Sequence, residues 1–250
     1  MLDSKTAVVT GGASGIGRAI AKEYADQGAN VVIGDISRDP RMGGEPTDEV
    51  IADENGEAMY VDTDVTDYDD VRHLVDSAVE EYGSLDVMVN NAGILQQSLL
   101  HETPADDWEE LMRINVDGVY YGTKAAVDHM IDQDSGSIVN ISSISGKIGR
   151  ANAPAYCASK GAVTMMTRQN AIDYGPEGIR VNAIGPGGTL TAMVHEVMSE
   201  ERQEYLEDAT PLRRLAEPDE IADVATFLAS DMASYVNGHV LITDGGFSIV

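Results

Sequence analysis

The chain of 250 residues holds a single cysteine, Cys157, so no internal disulfide can form. Its five histidines, His73, His101, His129, His195 and His239, are scattered, and no Cys/His cluster has the spacing of a structural zinc site, so no metal is expected. Positive charge is scarce as well: 5 lysines within 16 basic side chains face 43 acidic ones, for a net charge of -27. Nucleic-acid phosphates demand basic patches, so this imbalance argues against a nucleic-acid partner. The acidic excess is spread along the chain and not gathered in a tail, which makes the whole surface acidic. Such a surface suits a cytoplasm holding molar salt, where hydrated carboxylates keep a crowded protein in solution, and it predicts a halophilic source. Also missing are an apolar leader after Met1-Leu2-Asp3-Ser4-Lys5 and any uninterrupted run of about 18 apolar residues. A cytoplasmic protein without a membrane partner is expected.

What is present is enough apolar material, 43% of the residues, to bury a full core, and the length favours one α/β domain spanning residues 1–250. The β-branched run "KTAVVT" (5–10) ends in glycines, and "GIGRAIAKEYADQG" (15–28) then spaces Ile16, Ile20 and Tyr24 at helical period. The alternation repeats. Strands are predicted at 30–35, 57–61, 85–89, 136–142, 179–184 and 239–242, with helices near 67–82, 105–131, 154–174 and 218–230. Alternating elements of this kind predict a doubly wound parallel sheet of the Rossmann type, covered on both faces. The Pro-, Gly- and charge-rich segment 37–49 reads as an exposed loop leading into a helix.

Thr10-Gly11-Gly12-Ala13-Ser14-Gly15-Ile16-Gly17 sits at the first strand-to-helix junction, where backbone N–H groups form an anion site and glycines let a pyrophosphate approach. Asp35 ends the second strand, where a carboxylate can accept hydrogen bonds from both ribose hydroxyls of the adenosine half and repel a 2′-phosphate. That favours NAD over NADP, although Arg38 and Arg41 stand close enough to compensate a phosphate. Asp64-Val65 follows the third strand and Asn90-Asn91-Ala92-Gly93 closes the fourth, both at the carboxyl ends where open α/β sheets bind ligands.

In "ISSISGKIGRANAPAYCASKGA" (141–162), a helix from about Pro154 would place Tyr156 and Lys160 on one face, as i and i+4. The ammonium would then stabilise tyrosinate and lower a phenol pKa that starts near 10. A phenol so tuned can give a proton to, or take one from, a substrate oxygen during hydride transfer. Ser143, at the end of a strand, can donate a hydrogen bond to the same oxygen as charge develops.

With these motifs in place, the sequence resembles the short-chain dehydrogenase/reductase family along essentially its whole length. The likeness rests on Thr10 through Gly17 for TGxxxGxG, Asp64, Asn90 to Gly93 for NNAG, Asn115, Ser143, Tyr156 with Lys160, Pro186-Gly187, and "DGG" at 244–246. The resemblance implies Tyr156 as acid/base, Lys160 as its pKa modifier and nicotinamide-ribose ligand, and Ser143 as the group orienting the carbonyl. It implies that Asn115 holds the water of a proton relay behind Lys160. Gly11, Ser14, Gly15, Ile16 and Gly17 would carry the pyrophosphate. Asp64, Val65 and Asn91 would surround the adenosine, and Thr189 and Thr191 would hold the carboxamide. Thr189 stands where the family usually has valine or isoleucine, and the 37–49 loop is longer and more charged than the family pattern. The resemblance also implies a homotetramer built on the 105–131 and 154–174 helices and the terminal "LITDGGFSIV".

The function so implied is NAD-dependent oxidoreduction of a secondary alcohol or its ketone. Epimerase and dehydratase relatives carry an extra carboxyl-terminal substrate domain, for which the segment 187–250 is too short. A nucleotide-sensing binding protein could dispense with Tyr156, Lys160, Ser143 and Asn115, and all four are kept. Gln96, Gln97, Ser145, Arg150 and Asn152 are expected at the open end of the crevice, with Leu190–Met198 as a lid. Their polarity favours a sugar, sugar acid or other polar carbonyl compound, with a 3-oxoacyl thioester as the alternative.

Overall fold

The computed structural model describes residues 1–197 and 199–250. Seven strands, β1 (Thr6–Thr10), β2 (Asn30–Asp35), β3 (Glu57–Asp62), β4 (Val87–Asn90), β5 (Gly136–Ile141), β6 (Ile179–Pro186) and β7 (Val240–Thr243), form one parallel sheet in the order β3-β2-β1-β4-β5-β6-β7. The order reverses between β1 and β4, which opens a crevice at their carboxyl ends. β1 and β4 are buried along their whole length, whereas β7, at one edge, is half-buried throughout.

Side chains alternate across the pleat. Ala7 and Val9 of β1 pack into the cluster on one face, with Ile20 and Tyr24 of α1 (Gly15–Asp26) and Ala225 and Leu228 of the late helix 218–229. Val8 faces the other cluster, with Leu74 and Ala78 of the helix 68–82 and Ala126 and Met130 of the helix 118–132. Each face is thus covered by helices, as the continuous apolar strands require.

The remaining helices are α2 (Thr47–Asp53), α3 (Tyr68–Tyr82), α4 (Ala105–Met112), α5 (Gly118–Asp132), α6 (Pro154–Tyr174), α7 (Ala192–Val197), α8 (Glu200–Ala209) and α9 (Pro218–Ala229). The expected 105–131 helix is therefore two helices separated by a π turn, Arg113–Asp117. The 37–49 segment does lead into a helix, but α2 begins within it, at Thr47. α7 and α8 lie in and after the segment expected to be a lid, whose last residue, Met198, is outside the described residues. Among the described residues, no helix is long and apolar enough to cross a membrane.

Candidate active site

The crevice opens onto a cavity of about 1170 Å³. That exceeds the range of about 300–1,000 Å³ usual for a single ligand. One end is formed by the turn from β1 into α1. Gly11 has φ +66°, a conformation that costs other residues strain. A Cβ on Gly17 would stand 2.2 Å from the Gly11 carbonyl oxygen, so only glycine lets α1 approach the turn this closely. Ser14, the N-cap of α1, makes no side-chain cap bond, and no acid occupies the first turn. In α2, α3, α4 and α9 the first turn is acidic. The start of α1 is thus left open with its positive dipole end uncancelled, which fits a pyrophosphate.

Asn91 locks this end to β4. Its Nδ2 donates to the carbonyls of Thr10 and Gly11, at 2.9 and 3.1 Å. Thr10 Oγ1 in turn accepts from the backbone N–H groups of Asn91 and Ala92, at 3.0 and 3.2 Å. Asp35 lines the cleft and accepts from Ala13 N at 3.1 Å. Burial pushes its carboxyl up, while the N–H groups of Ala13, Ile36 and Ser37 and the charge of Arg41 pull it down. Arg38 is bound to Asp48 at 2.6 Å and Glu49 at 3.0 Å. Arg41 lines the cleft and donates its backbone N–H to Ser14 Oγ at 2.8 Å. Asp64, Val65, Thr189 and Thr191 also line the cavity.

At the other end, Ser143, Tyr156 and Lys160 meet. Ser143 leaves β5 and accepts from Ser145 N at 3.1 Å, which fixes its hydroxyl. Tyr156 and Lys160 share one face of α6, and the Lys160 ammonium lies 5.7 Å from the centre of the Tyr156 ring. Lys160 is buried and donates to the Ile141 carbonyl at 2.8 Å. Burial lowers its pKa to about 8, so the ammonium persists at neutral pH. For Tyr156 the structure corrects the expected direction. Burial raises the phenol above its ordinary value and outweighs the opposing hydrogen bond from Ser143 and the charge of Arg150.

Most of the expected site residues line this cavity: Gly11, Ser14, Gly15, Ile16, Asp35, Asp64, Val65, Asn91, Ser143, Tyr156, Lys160, Thr189 and Thr191. Gly17 and Asn115 stand behind its wall. Asn115 lies in the π turn, fully buried, where its Oδ1 accepts from Ile94 N at 2.8 Å and its Nδ2 donates to Ile94 O at 2.9 Å and to Ser159 Oγ at 3.2 Å. Both amide protons are engaged, so the side chain can offer a water only the second lone pair of Oδ1. Of the residues expected at the open end, Ser145 and Arg150 line the cavity, whereas Gln96, Gln97 and Asn152 do not. Gln96 turns to Glu110 at 3.1 Å instead. Besides the charged Asp106, Glu109, Glu110, Arg113 and Arg202, the cavity is lined by the apolar Ile94, Leu95, Ile144, Ile148, Met193 and Phe247. These come from loops and short helices without a periodic apolar pattern, so no local signal marked them.

An anion-ready helix start and a Ser/Tyr/Lys group, with Ser143 and Lys160 buried and Tyr156 half-buried, at opposite ends of one crevice define a nucleotide-dependent oxidoreductase. The family model described as enoyl-(acyl carrier protein) reductase matches residues 11–248. Cis-4-hydroxycyclohexanecarboxylate dehydrogenase of Sinomonas cyclohexanicum is 44% identical over 247 residues, covering 98% of this chain and 97% of the relative. The 3-oxoacyl-(acyl-carrier-protein) reductase FabG of Thermotoga maritima is 40% identical over 251 residues, covering 99% of each. A crystal structure of gluconate 5-dehydrogenase from Burkholderia cenocepacia, in complex with NADP and tartrate, superposes with a TM-score of 0.93 at 34% identity, covering 100% of this chain and 97% of that one. The chain belongs to the short-chain dehydrogenase/reductase family. It is an oxidoreductase that uses a nicotinamide cofactor and acts on CH–OH groups.

Proposed function

We propose that residues 1–250 form one dinucleotide-binding and catalytic unit that oxidises a polar secondary alcohol, or reduces its ketone, with NAD. The observation that carries this reading is the meeting of Ser143, Tyr156 and Lys160 in the cavity that begins at the uncapped start of α1. When bound, the nicotinamide accepts or supplies the hydride. In oxidation, the Tyr156 phenolate takes the hydroxyl proton as the C–O bond becomes a carbonyl; in reduction, the phenol returns it. Ser143 donates a hydrogen bond to the same substrate oxygen. Lys160, an ammonium below about pH 8, favours the phenolate and would hold the nicotinamide ribose. Asn115 positions the 94–95 backbone and Ser159, and a relay water behind Lys160 would rest on its remaining lone pair or on the π-turn backbone.

On the cofactor side, Gly11, Ser14, Gly15 and Ile16 hold the pyrophosphate, with Gly17 as the contact that lets α1 close in. Asp64, Val65 and Asn91 surround the adenosine, and Thr189 and Thr191 face the carboxamide. The preference for NAD rests on Asp35 in the cleft and on Arg38 being held by α2 acids. Arg41 is the cation beside Asp35 that a 2′-phosphate could use.

In this reading the chain works as a cytoplasmic homotetramer in a salt-rich cell. Supporting the assembly, Tyr120 of α5, Met165 and Ile172 of α6, and Ile249 and Val250 at the end of the chain are exposed apolar groups. A second reading, reduction of a 3-oxoacyl thioester, is favoured by the 40% identity to the FabG relative. The test is absorbance of NADH and NADPH with a panel of polyols, aldoses, hydroxy acids, hydroxycycloalkanes and 3-oxoacyl thioesters. Turnover of an alcohol with NAD is the expected result. Turnover of the thioester alone would favour the second reading, and no turnover with any member would overturn both.

A further inference from the structure

Besides Lys160, the loop 147–153 brings a cation, Arg150, to the cavity. It runs from the short turn after Ser143 to α6, and it is held by Ser98 N donating to Asn152 O at 2.9 Å and by the fully buried Ala153. Arg150 projects from it, half-buried, into the wall of the cavity. The chain offers 43 acids as partners, and four other arginines take one: Arg38 with Asp48, Arg72 with Asp76, Arg213 with Asp208, Arg214 with Glu220. Arg150 pairs with no carboxylate among the described residues, and the apolar Ile144 and Ile148 of the same stretch line the cavity with it. Its charge is felt at the Tyr156 phenol, at the end of the cleft away from the start of α1. The cofactor phosphates have their own site at that start, so they leave Arg150 without an anion.

We propose that Arg150 is the anchor for a substrate carboxylate, so that the alcohol oxidised here belongs to a hydroxy acid whose acid group lies beside the loop 147–153 while its carbinol meets Ser143 and Tyr156. This rests on the proposed dehydrogenase reading and narrows its substrate class. A guanidinium presents a planar fork that matches a carboxylate with two parallel hydrogen bonds, and apolar surroundings strengthen such a pair. The same substrate with its acid group masked would leave the guanidinium unpaired in the complex and bind less well.

Two measurements test this separately from the dehydrogenase reading. The first is calorimetric titration of the cofactor-loaded wild-type protein and of Arg150→Gln and Arg150→Lys with cyclohexanecarboxylate, which cannot be oxidised, and with its methyl ester. The wild type should favour the acid over the ester, and the preference should fall by about 10- to 100-fold in Arg150→Gln, with Arg150→Lys between. The second is the ratio of kcat/KM for 4-hydroxycyclohexanecarboxylate over its methyl ester, which should collapse in Arg150→Gln mainly through KM. A purely electrostatic action of Arg150 on Tyr156 would move acid and ester alike and leave both ratios unchanged, which overturns the proposal. Equal wild-type affinity for acid and ester overturns it too. Carboxylate selectivity in the calorimetry without turnover of any alcohol would sink the dehydrogenase reading and leave the anchor standing.

Discussion

Burial moves the titratable groups at both ends of the cleft toward their neutral forms, and the two ends differ in what opposes it. At the adenosine end, Asp35 is only partly buried, and the N–H groups of Ala13, Ile36 and Ser37 together with Arg41 oppose the effect of burial on it. At the reacting end, burial is the largest influence on both groups: it pushes Tyr156 up and brings Lys160 down to about 8, so each is moved toward its neutral form. A carboxylate that reads hydroxyls needs its charge, and the backbone donors offset part of the burial that raises Asp35. A group that exchanges a proton needs two accessible states. Desolvation holds Tyr156 in its phenol form, and the opposing contacts from Ser143 and Arg150 bring the phenolate nearer to reach.

The largest expected effect breaks the reacting end alone. Tyr156→Phe should reduce kcat by about 100-fold or more, since the general acid/base is gone, while the dissociation constant for NAD changes little. Near-normal turnover in that variant would end the assignment of Tyr156. The pH profiles sharpen the same point. Because burial holds the phenol protonated above its ordinary range, the phenolate is scarce at neutral pH, and oxidation should climb with pH across about 7–9, by up to about tenfold per unit. Reduction uses the phenol and should stay level below about pH 8, where Lys160 also keeps its proton. An oxidation profile already flat at neutral pH would mean that charges in the loaded cleft outweigh burial.

A smaller effect belongs to the adenosine end. Asp35→Ala removes the acceptor for ribose hydroxyls and the repulsion of a 2′-phosphate, so the ratio of kcat/KM for NAD over NADP should fall by about tenfold. The comparison predicts where that loss appears: in KM for the cofactor, with kcat nearly intact. If the unaltered protein already prefers NADP, Arg41 outweighs Asp35 and the reading of this end is wrong.

The same contrast explains what could be read from the sequence. The adenosine end is built from local motifs, because a strand ending in glycines and a helix beginning there are contiguous in the chain. β-branched runs such as "NVVIGD" are likewise strands almost residue for residue, since strands buried on both faces carry continuous apolar pattern. The Tyr156/Lys160 spacing was legible too, but its electrostatics were not, because burial depends on elements distant in sequence. The break at Arg113–Asp117 arises from Asn115 reaching Ile94 and Ser159, contacts no periodicity encodes. α8, "EERQEYLEDA", is largely charged and has little apolar face to reveal it. Gln96 and Gln97 are expected at the open end of the crevice, yet Gln96 is taken up by a hydrogen bond to Glu110 and Gln97 is exposed.

The smallest expected effect asks both ends to respond to salt. A net charge of -27 repels an anionic cofactor over long range. Raising potassium chloride from about 0.1 M to about 1 M shortens the Debye length from about 10 Å to about 3 Å. The dissociation constant for NAD should then fall by about threefold or more, through relief of repulsion by the acidic surface. Turnover at saturating cofactor should change by less than about twofold, because Lys160 is buried, Tyr156 is half-buried, and salt screens such groups less than surface ones. The midpoint of thermal unfolding should rise in the same titration, as self-repulsion among the surface carboxylates declines. A flat or falling midpoint would show that the acidic surface is tolerated without salt and would remove the halophilic reading. A rise in kcat with no change in cofactor affinity would reverse the contrast between the two ends, since it would place the salt-sensitive charges beside the phenol and not beside Asp35.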